Sequence, residues 1–457
     1  MRKIYTLFCV SLLFFASCDK LVEVDAPNDQ IGTTQVFEDL NTANAALASL
    51  YSNLRDYSII SGTINGAGAL LSIYTDDLDW YSADQNDQNS YWDIYQNQQT
   101  ETNTVILSLW KEAFTEIYYA NSIIYGTENS TSLTEVNKNQ IKGEALLIRS
   151  LIYFYLQQLF GDIPYTTSLN YEYNSTISKT GGSALLEQLE SDLMKSVNLL
   201  KDDYRDDERI YPNRKVAQLL LAKIYLIENK YTNAEKLADT ILQSPLYEFQ
   251  PNINEVFHKS GKHILWQLKP EYSGDGTQEV EFYYFSNSIP NLCAITQDLA
   301  NSFEDSDLRK QNWITKVTYN NSSWYRVYKY KIRSSSNTDE YSIIFRLEEA
   351  YFIKAEALAK QNRYTEALPF LNATRVRAGL TAFTSLSGEN FNNELLAEMR
   401  REFFTEHGHR FLDLKRWGKL SELSNVKPNW ADYQQVWPIP QSEILLNPNL
   451  KPQSTGY

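Results

Sequence analysis

Ala222-Lys-Ile-Tyr225-Leu-Ile-Glu-Asn229-Lys230-Tyr231-Thr-Asn-Ala234-Glu-Lys-Leu-Ala238 has a counterpart later in the chain, Ala355-Glu-Ala-Leu358-Ala-Lys-Gln-Asn362-Arg363-Tyr364-Thr-Glu-Ala367-Leu-Pro-Phe-Leu371. Ala222, Tyr225, Tyr231, Ala234 and Ala238 align with Ala355, Leu358, Tyr364, Ala367 and Leu371. These are the spacings of a tetratricopeptide helix–turn–helix unit. The small residues let two helices approach closely, the tyrosine packs at the turn, and Asn229-Lys230 or Asn362-Arg363 makes that turn. Apolar residues at three- and four-residue steps extend the helical reading outward from these hairpins. Val36, Leu40, Ala43, Leu47, Leu50 and Leu54 mark a helix over 35–56, and further helices are expected over 102–125, 133–160, 183–200 and 393–423. The 133–160 helix stops at Gly161, with Pro164 beyond it.

Two stretches break this pattern. Residues 57–101 carry Gly62, Gly66 and Gly68 and then a run dense in Asp, Asn, Gln, Trp and Tyr; residues 249–342 alternate short strand-like runs, such as 263–268 and 323–331, with Gly, Asn and Ser loops. The expected fold is therefore mainly α: a tetratricopeptide-like helical-repeat scaffold with an irregular, loop-rich and short-strand ligand-binding half. One domain over 35–457 would carry its repeats at roughly 35–56, 102–160, 183–248 and 343–423, and its insertions at 57–101 and 249–342.

The N-terminus has a separate logic. Arg2 and Lys3 precede an apolar run from Ile4 to Ala16, then Ser17 and Cys18. A basic start, a short apolar core and a small residue before the cut are the layout of an export signal. The run is shorter than the roughly 20 residues a membrane span needs. A cysteine at the cut resembles the bacterial lipobox, although Phe15 stands where Leu is commoner. Residues 1–17 are thus expected to be a lipoprotein signal peptide, Cys18 the lipidation site, and 18–34 a lipidated tether. Cys9 would leave with the signal and Cys18 would be acylated, so Cys293 would stand alone without a disulfide partner.

The formal net charge is −15, which argues against nucleic acid, whose phosphates call for a basic stripe. It also argues against electrostatic docking on anionic lipid, leaving the acyl chains to hold the membrane. No catalytic constellation is legible. His258, His263, His407 and His409 are the only histidines and none stands in a zinc motif. There is no phosphate loop or nucleophile elbow, and no carboxylate pair in a recognisable hydrolase setting. The 76–89 stretch has oxygen ligands enough for calcium but lacks the spacing of an EF-hand loop. It reads as a solvated loop, so no cofactor is expected.

An uncharged hydroxylated polymer calls for flat aromatic faces against sugar C–H surfaces and for amides and carboxylates to take the hydroxyls. Trp80, Tyr81, Tyr91, Trp92 and Tyr95, interleaved with Asp79, Asn86, Gln88 and Asn89, supply that mixture. So do Tyr283, Tyr284, Trp313, Trp324 and Tyr328, with Asn287, Asn312 and Arg326 nearby. Both sets lie outside the repeats, where loops carry function on a rigid frame. Trp80, Tyr81, Trp92, Tyr283, Tyr284, Trp313 and Trp324 are the ligand-binding candidates.

Three segments carry a family resemblance. The first is Arg149-Ser-Leu-Ile-Tyr-Phe-Tyr-Leu-Gln-Gln-Leu-Phe-Gly161-Asp-Ile-Pro164-Tyr165, an aromatic helix running into a G-D-x-P-Y turn. The second is Arg401-Glu402-Phe-Phe-Thr-Glu406-His-Gly408-His-Arg410-Phe-Leu-Asp413-Leu-Lys-Arg416-Trp417-Gly418, with His407 lengthening the Glu-to-Gly interval by one residue. The third runs from Trp437-Pro-Ile-Pro440 through Asn447-Pro-Asn-Leu450 to Tyr457. Together with the lipobox and the hairpins they resemble the SusD/RagB family, surface lipoproteins of Bacteroidetes outer-membrane nutrient importers. The resemblance implies a lipid-anchored outer-membrane protein that captures an oligosaccharide or polysaccharide and passes it, uncleaved, to a SusC-like TonB-dependent transporter. It carries no binding residues onto this chain. An oligopeptide ligand, as the RagB branch implies, remains the alternative; a surface hydrolase and a purely structural repeat adaptor are the readings from other classes.

The charges of the second segment read as scaffold. Glu406 with Arg410, and Arg410 with Asp413, stand at spacings that permit bridging along one helix face. The proline-rich ending is expected to lie extended over the repeats.

Overall fold

The computed structural model describes residues 33–81 and 90–457. The signal over 1–17, Cys18, the tether apart from its last two residues, and Asn86, Gln88 and Asn89 lie outside the described residues.

Side-chain caps start the long helices. Asn103 Oδ1 accepts from the amides of Val105 and Ile106 at 3.1 and 3.2 Å and opens Thr104–Asn129. Thr134 opens Glu135–Phe160 in the same way, and Asn213 opens Arg214–Ile227. Each oxygen takes amides that the first helical turn leaves without partners. Glu135–Phe160 ends on Gly161, whose φ of +73° is the left-handed stop that glycine adopts freely.

The helices then pack one on the next. Thr104–Asn129 lies on Glu135–Phe160, which packs on Gly182–Leu199, followed by Arg214–Ile227 and Tyr231–Leu242. Tyr231–Leu242 continues directly onto Leu347–Lys360, and Tyr364–Arg377 and Gly388–Phe403 complete the row. Neighbour-on-neighbour stacking of this kind is the helical-repeat architecture. Ala222, Ala234, Ala238, Ala355, Ala367 and Leu371 are all fully buried between the paired helices. Asn229 and Asn362 take left-handed backbone, φ 59° and 60°, a conformation that asparagine tolerates better than most residues.

The row skips residues 243–346 because that segment leaves it and returns. Strand β2 (Ile264–Leu268) pairs antiparallel with β6 (Ser342–Arg346), Leu268 opposite Ser342, so the chain between them departs and re-enters at adjacent points. A second sheet has the order β1-β3-β5-β4. It comprises β1 (Leu78–Trp80), β3 (Cys293–Ile295), β4 (Ile314–Tyr319) and β5 (Ser322–Val327). Asp79 stands opposite Ala294 in the β1–β3 pair. The two irregular stretches of the sequence are therefore one structure, joined by strand pairing.

A buried ion network holds this excursion to the repeats. Glu402 sits among Arg346 (2.6 Å), Arg309 (3.3 Å) and Arg377, and all four side chains are essentially inaccessible. Arg309 also pairs with Asp307 and Glu398, Arg377 with Glu348, and Arg346 with Glu406. Lys329, two residues past β5, donates to the carbonyls of Glu402 and Phe404 at 2.9 and 2.8 Å and bonds Glu406. Burial opposes the charge on Glu402, but the three guanidiniums outweigh it and hold its pKa below the carboxylate range.

Several expectations need correction. The 35–56 helix breaks after Val36, and Asp39 caps Leu40–Asp56 through the amides of Asn41 and Thr42. Within 57–101, Ala67–Tyr74 is a helix buried almost throughout, which removes the polar stripe that periodicity would detect. The reading of one helix over 393–423 fails after Phe403, where Thr405, His407 and Gly408 take φ of 59°, 45° and 71°, and an added Cβ at Gly408 would meet Leu71 Cδ1 at 2.5 Å. Gly388–Phe403 and His409–Arg416 are consequently separate. Glu406 then faces Arg346 and Lys329, and Arg410 reaches Asp76 at 2.7 and 2.8 Å instead of Glu406. Asp413 bonds Arg416, which also grips Glu356. Asp76 is likewise no solvated-loop residue. Burial would raise its pKa, yet Arg400 and Arg410 bring it down to about 2. The C-terminal segment contains a helix, Gln441–Leu446, placed directly after Pro440, where a missing amide hydrogen costs nothing.

Glu116 is buried within Thr104–Asn129, and neither carboxylate oxygen has a hydrogen-bond partner. Burial, with Glu112 nearby, raises its pKa well above the carboxylate range. A raised acid weakens the fold as pH climbs from the unfolded value toward the folded one, because the unfolded chain ionises first. Glu116→Gln is therefore expected to stabilise the protein by about 1–3 kcal/mol at pH 7, with the advantage vanishing below the ordinary glutamate pKa. Urea unfolding at pH 7 and pH 4 checks this; an equal or lower midpoint at pH 7 contradicts it.

Candidate binding face

Alternation along the short strands sorts the candidate residues. Successive side chains of a strand point to opposite faces. Trp80, Cys293, Ile295, Ile314 and Val327 point inward and are buried. Asp79, Ala294, Val317, Trp324 and Arg326 occupy the other face, with Tyr81 continuing it just past β1. Phe285, Ala294 and Val317 form a small apolar floor there, and Tyr81 and Trp324, both half-buried, pack at its rim. Burial, with Asp79 nearby, raises the pKa of the Tyr81 hydroxyl. One residue from each irregular stretch thus meets on a shared rim.

The edges of this face are also built. Tyr284 is half-buried; Arg326 Cζ lies 4.9 Å and Arg333 Cζ 4.0 Å from its ring centroid. Arg326 Cζ is also 5.1 Å from the Tyr328 ring centroid, and its Nη1 donates to the Phe285 carbonyl at 2.7 Å. The Tyr95 hydroxyl donates to Asp79 Oδ1 at 3.0 Å, which brings the Ser90–Tyr95 helix to the β1 edge. Trp92, half-buried, packs 5.5 Å from Tyr95.

Three of the seven candidates are placed in the interior instead. Trp80 is 5 % exposed and stacks on Tyr91, centroids 5.6 Å apart. Trp313 is fully buried, edge-on to Phe257, with Nε1 donating to the Ile253 carbonyl at 3.2 Å. Tyr283 is buried beside Cys293, beneath the sheet. In each case strand or helix phase turns the ring to the core, a property that composition does not report. Asn312 donates within its own helix to the Leu308 carbonyl, and Asn287 is exposed. Phe285, Ala294 and Val317 were not among the candidates. The alternation of Trp324, Arg326 and Tyr328 was the available signal for this face.

Residues 24–226 match the family model described as starch-binding associating with outer membrane, and residues 291–457 match that of the SusD family. SusD-like protein P25 of Formosa agariphila is 23 % identical over 98 % of both chains. The starch-binding protein SusD of Bacteroides thetaiotaomicron is 35 % identical over 25 % of this chain and 21 % of its own. Among solved structures, a laminarin-binding SusD-like protein superposes with a TM-score of 0.77 at 22 % identity, covering 91 % of this chain and 99 % of that one. Surface glycan-binding protein A of Bacteroides thetaiotaomicron, solved with laminarihexaose, gives 0.75 at 19 % identity over the same shares. With both models matched and relatives aligned from end to end, the chain belongs to the SusD family.

Proposed function

We propose that this protein is a cell-surface oligosaccharide receptor, held at the outer membrane through lipid on Cys18, that hands its ligand to a SusC-like TonB-dependent transporter. The observation that carries the reading is the rim of Tyr81 and Trp324 on one sheet face, with polar groups from Asp79, Tyr95 and Arg326 around it. Half-exposed rings over an apolar floor suit the C–H faces of sugar rings, and the neighbouring donors and acceptors suit their hydroxyls. Relatives named for starch and laminarin support a saccharide as the class of ligand. The mechanism is capture and release without bond cleavage, and the buried carboxylates of the second signature segment serve as scaffold. The helix row is the surface offered to the transporter.

Calorimetric titration of the soluble chain beginning after Cys18, against plant, algal and fungal oligosaccharides and a peptide pool, tests the reading. Saturable heat with a saccharide is the expected result. Binding confined to peptides replaces it with the oligopeptide reading, and turnover of any saccharide replaces it with a hydrolase.

A further inference from the structure

Arg326 is 9 % exposed, yet it forms no ion pair with any described carboxylate. Its neighbour Arg333 is neutralised by Glu281 at 2.8 Å, and the deeper arginines Arg309, Arg346 and Arg377 all sit in the Glu402 network. Arg326 alone among these is balanced only by the Tyr284 and Tyr328 rings and by one hydrogen bond to the Phe285 carbonyl. Cation–π contacts recover part of the cost of burying a guanidinium, but a desolvated charge is offset fully only by an anion. The remaining N–H groups form a planar fork that matches a carboxylate or sulfate. The residue occupies the same strand and face as Trp324, two positions on.

We propose that the outward face of the β1-β3-β5-β4 sheet takes an anionic saccharide, one bearing a carboxylate or sulfate, with Arg326 gripping the acid group while Trp324 and Tyr81 stack on the rings. This rests on the saccharide-binding reading above. The whole chain is acidic, so bulk charge repels a polyanion. Selection for the acid group then depends on this local fork.

Affinity gel electrophoresis against uronate-bearing and sulfated polysaccharides, each run beside its carboxyl-reduced or desulfated form, tests it. The wild type is expected to prefer the acidic member of at least one pair by about ten-fold or more. Arg326→Gln should erase that preference by weakening the acidic member far more than the neutral one, and Arg326→Lys should keep part of it. The uronate and sulfate arms tell the two acid groups apart. Equal retardation by both members of every pair overturns the proposal, as does an Arg326→Gln variant that weakens both members alike, since Arg326 then only fixes the Phe285 loop. Binding restricted to neutral saccharides refutes the acid preference and leaves the receptor reading intact. Silence toward every saccharide refutes both.

Discussion

Glu402→Gln is expected to lower the unfolding free energy by at least about 3–5 kcal/mol, the cost of breaking a buried ion pair by removing one partner. The residue faces Arg309, Arg346 and Arg377 at once, and glutamine leaves them with an amide in place of a charge. Those arginines come from the Leu308–Trp313 helix, from β6 and from Tyr364–Arg377. The loss therefore loosens the insertion from the repeats as well as the repeats from one another. Urea denaturation followed by far-UV circular dichroism measures the change; a variant within about 1 kcal/mol of the wild type would sink the network's role. The pH dependence gives a second check. A carboxylate with a lowered folded pKa stabilises the fold above its unfolded value, and that contribution fades as pH falls through the acid range. Wild-type stability should thus drop steeply below the ordinary glutamate pKa, and the Glu402→Gln curve should be flatter there.

Trp324→Ala is expected to weaken saccharide binding by about ten-fold or more, a loss of about 1.4 kcal/mol or greater. Stability should change far less, because the ring is half-exposed and packs on a small satellite cluster rather than on the main core. Trp313→Ala provides the opposite signature. Removing a fully buried indole costs about 3–5 kcal/mol of stability, while the folded fraction keeps its affinity. Calorimetry paired with thermal melts separates the two outcomes. A Trp324→Ala variant that binds as well as the wild type would move the ligand off this face.

The legible part of this fold is the part with local causes. Ala222, Ala234, Ala355 and Ala367 announce helix pairing because a small residue at a fixed step has one main use, and Asn229 and Asn362 mark the turns between. Tertiary causes were not legible. Arg410 finds Asp76 334 positions away, so the local pairing with Glu406 suggested by spacing loses to a contact that only the fold creates. The aromatic candidates show the same division. Composition selected the two stretches that share the sheet, but β1 and β3 are three residues each, too short to give a period. Without the strand phase, Trp80 and Tyr81 looked equivalent, though one is core and the other rim.

The return of the chain at β2 and β6 has an evolutionary consequence. Leu268 and Ser342 face each other across a strand pair, so everything between them is attached like a cassette whose ends meet. New ligand specificities can then arise by rewriting the cassette, with the helix row left as inherited. Its attachments limit that freedom: Arg309 must still reach Glu398 and Glu402, Lys329 must still reach Glu406 and the Glu402 and Phe404 carbonyls, and β3 must still offer an edge to β1. Divergent receptors built on this plan are accordingly expected to vary most in the outward residues of β4 and β5 and least in the arginine that plugs the insertion into the frame.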